Sequence, residues 1–270
     1  MPSIWRQGTT DMRARRRFGQ NFLHDQNIIR KIVEVINPQP QDHILEIGPG
    51  RGALTDLLLE SGCQLDVVEI DRDLASGLRA KHPGLNIIES DILKYDISEI
   101  ESGVPFRIVG NLPYNISTPL LFKLFNKLDL INDMHFMLQL EVVERMTATH
   151  STSDYGRLSI MSQLYCDTEK LFTVSPESFV PRPKVMSAII RLSPKQNQRN
   201  VDVTLFQRIL TQAFSARRKT IRNALKGFAT VQDLESLGLD PKLRPENLSL
   251  EDYLSIATQS SERPRESRRS

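Results

Sequence analysis

The chain has 270 residues, 25% of them charged and 39% hydrophobic, with a formal net charge of +2. That is an ordinary soluble globular composition, long enough for one large α/β domain and a smaller one, and no apolar run approaches the roughly 20 residues a membrane span needs. The charge is too small to argue for nucleic acid; only its distribution can. Cys63 and Cys166 form no Cys-x-x-Cys pair and the five histidines show no metal-ligand spacing. With no signal peptide read at the N-terminus, reduced thiols, a cytoplasmic location, no metal and no membrane contact are expected.

In chain order, a basic cluster at Arg13, Arg15, Arg16 and Arg17 precedes Phe18-Gly19-Gln20-Asn21-Phe22-Leu23. Asp25 is placed to cap a helix running to about Ile36, with Ile28, Ile29, Ile32, Val33 and Ile36 on its apolar face. Strands at 43–47, 65–70, 86–88, 106–109 and 134–140 then alternate with helices at 53–60, 73–80 and 119–128. Such alternation predicts a parallel sheet covered by helices on both faces. A helix at 157–165 follows, then β-rich runs at 170–174 and 185–192. No helix separates these runs, so antiparallel pairing is expected.

Residues 193–200 are polar and contain Pro194, and read as a linker. Beyond them Phe206, Ile209, Leu210 and Ala213 mark a helix, with shorter helical pieces to about Thr258. Residues 259–270 carry serine, glutamate and arginine and read as a disordered tail. The expected division is thus a sheet domain at 1–193, a small helical domain at 201–258, and the tail.

Four features carry chemistry. Gly48, Gly50 and Gly52 close the first strand and open a helix, where glycine lets the backbone approach a ligand. Their G-x-G-x-G spacing differs from that of dinucleotide binders. Glu69 ends the next strand, 21 residues past Gly48, where a ribose diol is held in this kind of sheet; the alternative is a solvated strand-end charge. Asp91 follows the third strand and can accept from an adenine amine or cap a turn.

The fourth is Asn111-Leu112-Pro113-Tyr114. Pro113 holds Leu112 extended, freeing its carbonyl, and Asn111 adds a second acceptor. Two acceptors and the Tyr114 ring suit an exocyclic amine on a planar base: the oxygens hold the amine hydrogens while the ring stacks. A plain strand-to-helix turn is the alternative. Further on, residues 214–226 carry Arg217, Arg218, Lys219, Arg222 and Lys226 without an acid. On a continuous helix Arg218, Arg222 and Lys226 form one stripe, with Ile221 and Leu225 turned inward. That stripe and the basic N-terminal cluster suit RNA phosphates, the alternative being a solvated face.

With these motifs, and with Phe179-Val180-Pro181-Arg182-Pro183-Lys184-Val185, the sequence resembles the ribosomal RNA adenine dimethyltransferases, specifically those acting on the bacterial small subunit. The resemblance runs from Arg15 to about Ile256, and only the arginine-rich tail lacks a counterpart. It implies a Rossmann-like methyltransferase sheet with a small C-terminal helical domain, S-adenosylmethionine as cofactor, and small-subunit (16S) ribosomal RNA as partner to a monomer. By the same resemblance Asn111, Leu112, Tyr114 and Phe179 are the catalytic set, Phe179 being the second face of an aromatic clamp on the target base. Asn21, Leu23, Gly48, Glu69, Asp91 and Asn111 would hold the cofactor, and Arg217, Arg218, Lys219 and Arg222 the RNA. The expected product is N6,N6-dimethyladenosine at two adjacent adenines of the 3′-terminal hairpin. Other readings are an adenine methyltransferase for large-subunit RNA or DNA, and a non-enzymatic ribosome-assembly factor.

Overall fold

The computed structural model describes residues 20–196 and 201–262. The expectations placed on Arg13–Arg17, Phe18, Gly19 and residues 263–270 lie outside these. Among the described residues nineteen strands and α-helices follow one another. They open with β1 (Phe22–Leu23), α1 (Gln26–Ile36), β2 (His43–Ile47), α2 (Thr55–Glu60), β3 (Gln64–Glu69), α3 (Arg72–Lys81) and β4 (Asn86–Glu89). Next come β5 (Phe106–Asn111), α4 (Ser117–Leu124), β6 (Ile131–Gln139), α5 (Leu140–Thr147), α6 (Arg157–Tyr165), β7 (Cys166–Val174), β8 (Phe179–Val180) and β9 (Ser187–Pro194). The chain continues through α7 (Val203–Ser215), α8 (Ile221–Ala224), α9 (Val231–Ser236) and α10 (Leu250–Glu262).

Seven strands form one sheet in the order β4-β3-β2-β5-β6-β9-β7. The pairs β2/β3, β2/β5, β3/β4 and β5/β6 are all parallel. All five residues of β2 and five of six in β3 are buried, the pattern of central strands covered on both faces. The chain walks outward from β2 to β3 to β4, then returns to place β5 on the other side of β2. This reversal puts a crevice at the strand C-termini, where open α/β sheets bind ligands. The β-rich runs expected at 170–174 and 185–192 are β7 and β9, neighbours in the sheet.

The chain divides into two compact units, one holding residues up to 138 together with 173–189, the other 139–172 together with the residues from 190. In the first, Asp25 caps α1 by accepting from the Asn27 and Ile28 N–H groups, and Ile29, Ile32 and Ile36 are buried. Arg107 on β5 bonds Asp133 and Asp42 and the Ile36 carbonyl, tying α1 to β5 and β6. In the second, Phe214 lies 6.3 Å from the Tyr155 ring and 6.0 Å from that of Tyr253, and the Tyr253 hydroxyl donates to the Pro245 carbonyl.

At α5 and α10 the structure departs from the sequence-based expectation. α5 follows β6 directly, where no helix is expected, because no glycine or proline separates them in sequence. α10 reaches Glu262, past the expected start of the tail at 259. Ser260 is buried, and the Thr258 and Ser261 hydroxyls return to helix carbonyls, so polar residues sit comfortably in this last turn.

Candidate active site

A cavity of about 290 Å³ opens at the C-terminal ends of β2, β3, β4 and β5, entirely within the first unit. Its wall includes Gly48 and Gly50 after β2, Glu69 at the end of β3, Asp91 after β4, and Asn111, Leu112 and Tyr114 after β5. Asn21 and Leu23 also line it. Residues spread over 90 positions of sequence therefore meet on one surface.

The glycine turn is held by its own backbone. Gly48 N–H donates to the Val68 carbonyl at 2.9 Å, and Gly48, Gly50 and Gly52 all have positive φ (67°, 58° and 83°), a region other residues rarely adopt. Phe22 packs on this turn: a Cβ on Gly50 would come within 3.2 Å of its ring. The Arg51 guanidinium lies 4.6 Å from the centre of the same ring. Gly110 is equally constrained, since a Cβ there would meet the Ile47 carbonyl oxygen at 2.6 Å. A glycine at this point lets β5 deliver Asn111 close beside the turn.

Two buried carboxylates stand at the floor. Glu69 accepts from Asp71 N–H at 2.9 Å and from Gly50 N–H at 3.1 Å, which couples the end of β3 to the glycine turn. Burial pushes its carboxyl up, against the pull of those two N–H groups. Glu46 on β2 accepts from the Thr55 hydroxyl at 2.6 Å. Burial, and then the nearby Glu69 and Asp56 charges, raise it to about 7 although the Thr55 bond opposes them. No ion pair to Glu46 occurs among the described residues. No role for Glu46 follows from the sequence alone; its signal is an acid set between Leu45 and Ile47 in a fully buried strand.

Asp91 serves as a turn cap, accepting from Leu93 N–H at 3.0 Å, and also lines the cavity. The loop it begins is tethered from α4: Lys123 Nζ donates to the Ile92 carbonyl at 2.7 Å and to that of Tyr95. Burial lowers the Lys123 ammonium from its ordinary range. Sequence reading did not single out this lysine, because nothing local shows which distant loop it reaches.

Asn111 Nδ2 donates to the Asn21 carbonyl at 3.1 Å. Only the amide nitrogen can donate there, so the contact fixes the side-chain orientation and leaves Oδ1 as an acceptor. Leu112 N–H donates to the Met137 carbonyl at 3.2 Å, and no described residue donates to the Leu112 carbonyl. The Tyr114 and Ser187 hydroxyls share a hydrogen bond of 2.8 Å, which anchors the ring, and burial raises the phenol so that it stays neutral. Asn111, Leu112 and Tyr114 thus all line the one cavity.

Phe179 is not brought to this wall. It is only 2% exposed, sits in β8 opposite Leu23, and does not line the cavity. The reason is tertiary: β1 pairs antiparallel with β8 (Phe22↔Val180, Leu23↔Phe179) and covers it. Of the two aromatic residues expected to clamp a base, only Tyr114 lines the cavity.

The sequence pattern of the ribosomal RNA adenine dimethylase family matches residues 11–261. The chain belongs to that family. A Marinobacter nauticus protein named ribosomal RNA small subunit methyltransferase A is 52% identical over 249 residues, covering 90% of each chain. A Coxiella burnetii protein of the same name is 51% identical over 251 residues, covering 91% of this chain and 97% of its own. Among solved structures, a dimethyladenosine transferase from Plasmodium falciparum superposes with a TM-score of 0.78 at 28% identity, over 88% of this chain and 96% of its own. The 23S rRNA methyltransferase ErmE gives 0.70 at 26% identity, over 90% and 100%. The fold is thus that of an rRNA adenine dimethylase, built on a Rossmann-like α/β sheet.

In the second unit of this family member, the basic residues expected to meet RNA do not form one helical stripe. α7 ends at Ser215, Thr220 is extended (φ −65°, ψ 153°), and α8 has only four residues. Arg217 turns back: its Nε donates to Glu246 at 2.8 Å and its Nη2 to the Ser153 carbonyl at 2.6 Å, which redirects the chain. Arg218, Lys219 and Arg222 are exposed and make no ion pair among the described residues, while Ile221 and Leu225 are buried as the sequence suggests. No described helix is long and apolar enough to cross a membrane, and no described cluster of His, Cys, Asp or Glu could hold a metal ion.

Proposed function

We propose that this chain transfers methyl groups from S-adenosylmethionine to N6 of two adjacent adenines in the 3′-terminal hairpin of small-subunit (16S) ribosomal RNA, giving N6,N6-dimethyladenosine. The observation that carries this reading is that Asn111, Leu112 and Tyr114 line one cavity together with Glu69 and Asp91. The relatives named for the small subunit are far nearer in sequence than the 23S enzyme, which favours the small-subunit reading over its large-subunit alternative.

The donor set suits the cofactor. Glu69 and Asp91 offer carboxyl acceptors and Arg51 a cation in one cavity, which matches a ligand carrying a ribose diol, an adenine amine, an ammonium and a carboxylate. Glu69 would take the ribose hydroxyls on the lone pairs left by Gly50 and Asp71, and Asp91 the adenine amine. Gly48 would allow close backbone approach. Asn21, Leu23 and Asn111 would close over the methionine end. When bound, S-adenosylmethionine supplies a methyl already activated by a positively charged sulfur.

The residues then have two tasks. Adenine N6 is a poor nucleophile because its lone pair is conjugated into the ring. Asn111 Oδ1 and the Leu112 carbonyl would accept its two hydrogens and favour a pyramidal nitrogen, localising the lone pair. The Tyr114 face would hold the base, and the same oxygens meet positive charge growing on nitrogen as the new N–C bond forms. Positioning and desolvation supply the rest. Arg218, Lys219 and Arg222 would bind phosphates; Arg217, tied to Glu246, would serve them as a support. The chain should act as a monomer in the cytoplasm.

The test is incubation with unmethylated small subunits and isotopically labelled S-adenosylmethionine, followed by nucleotide mapping. Four labelled methyls on two neighbouring adenines are expected. Label on large-subunit RNA instead, or none at all, refutes the reading.

A further inference from the structure

Residues 181–186 join β8 to β9 and are anchored at both ends on the cavity wall. At one end β8 pairs with β1, whose Phe22 and Leu23 both line the cavity. At the other, Ser187 is hydrogen-bonded to Tyr114. The segment between therefore borders the cavity without itself lining it, and is stiffened by Pro181 and Pro183.

This stretch is unusually apolar for a surface. Val180, Val185 and Met186 are 53%, 44% and 39% exposed. Among the described residues they are half of the six large hydrophobic side chains this exposed, and they lie within seven positions of one another. Two cations stand among them, Arg182 in an ion pair with Glu177 and Lys184 exposed without one among the described residues. Exposed apolar side chains clustered beside a cavity and mixed with cations suit something both flat and anionic.

We infer that Val180, Val185 and Met186 receive the base next to the target adenine, with Lys184 on its phosphate. Extruding one base leaves its neighbour without a stacking partner, and apolar side chains commonly fill that place. Ser187, next to Met186, is bonded to Tyr114 of the cavity wall, so a base packed on this segment would neighbour the base in the cavity. Its cations favour RNA over a protein as occupant. The inference rests on the adenine reading of the cavity and adds to it the local single-stranded context that the site selects.

The experiment uses the full chain and a small-subunit hairpin transcript. A Val185→Ser, Met186→Ser variant alters only exposed positions. It should keep wild-type cofactor affinity by calorimetry while its kcat/KM on the hairpin falls roughly tenfold, through KM, the low end of base-stacking effects. On a hairpin with an abasic neighbour the wild type should drop to the variant's level and the variant should fall no further. Lys184→Gln should reduce the salt slope of RNA binding by about one. A double variant equal to wild type on an intact hairpin that the wild type methylates overturns the inference alone. So does lost cofactor affinity, which marks a structural role, or a defect on intact subunits but not on the hairpin, which marks a protein occupant. A wild type that methylates neither substrate brings down the adenine reading and this inference with it.

Discussion

Replacing Glu46 by Gln should stabilise the protein, and only above a defined pH. Glu46 is 2% exposed, lacks a cationic partner among the described residues, and is raised from the ordinary 4.5 to about 7. A carboxyl raised in the folded state binds its proton more tightly there than in the unfolded chain. Its favourable contribution is therefore complete below the unfolded value, near pH 4.5, and is lost as pH rises through about 7. The rise of about 2.5 units, at 1.36 kcal/mol each, makes the ionised side chain cost about 3 kcal/mol above neutrality. Glutamine has the same shape, cannot ionise, and its amide oxygen can still accept from the Thr55 hydroxyl. Urea titrations of both proteins between pH 5 and 8 are the assay. The stability difference should grow in favour of glutamine by about 1.4 kcal/mol per pH unit near pH 6, then level off above 7. A difference independent of pH would refute the reasoning, because it would mean that Glu46 titrates alike in both states.

Glu69→Ala should weaken S-adenosylmethionine binding by about 1.5–3 kcal/mol, the range for a charged hydrogen bond; unchanged affinity in a folded variant, by calorimetry, would remove Glu69 from the ribose site. Lys123→Met should raise the cofactor KM several-fold while leaving kcat largely intact, since it frees the loop after Asp91 from α4; steady-state kinetics with an unchanged KM would make the tether merely structural. Changing Arg218 and Arg222 together to Gln should flatten the salt dependence of RNA binding by nearly two units of slope without altering cofactor affinity, measured by filter binding across salt concentrations. The same pair of changes with an unaltered slope would make both arginines bystanders.

The sheet was legible because β2, β3 and β5 read as largely apolar runs and each is followed by a helix with its own period. The site was legible for the same reason: strand ends announce where the crevice lies, so Gly48, Glu69, Asp91 and Asn111 could be placed on it from their positions after strands. What could not be read was tertiary. β1 and β8 are two residues each, too short to show a period, yet their pairing buries Phe179 and brings Asn21 to Asn111. The basic stripe over 218–226 assumed one helix. Spacing alone cannot reveal that Arg217 finds Glu246, 29 positions away, and turns the chain. Lys123 and Ser187 likewise act through partners that only the fold supplies.

The central claim is that the wall made by Asn111, Leu112 and Tyr114 performs methyl transfer to an amine, and it is tested most directly at Asn111. Single-turnover methylation by Asn111→Ala, at saturating cofactor and RNA, isolates the transfer step from binding. Losing one preorganised polar partner should slow that step by about 100-fold or more. RNA affinity should be unchanged, since phosphate contacts lie elsewhere. Transfer at the wild-type rate would contradict the account and leave these residues as no more than a turn between β5 and α4.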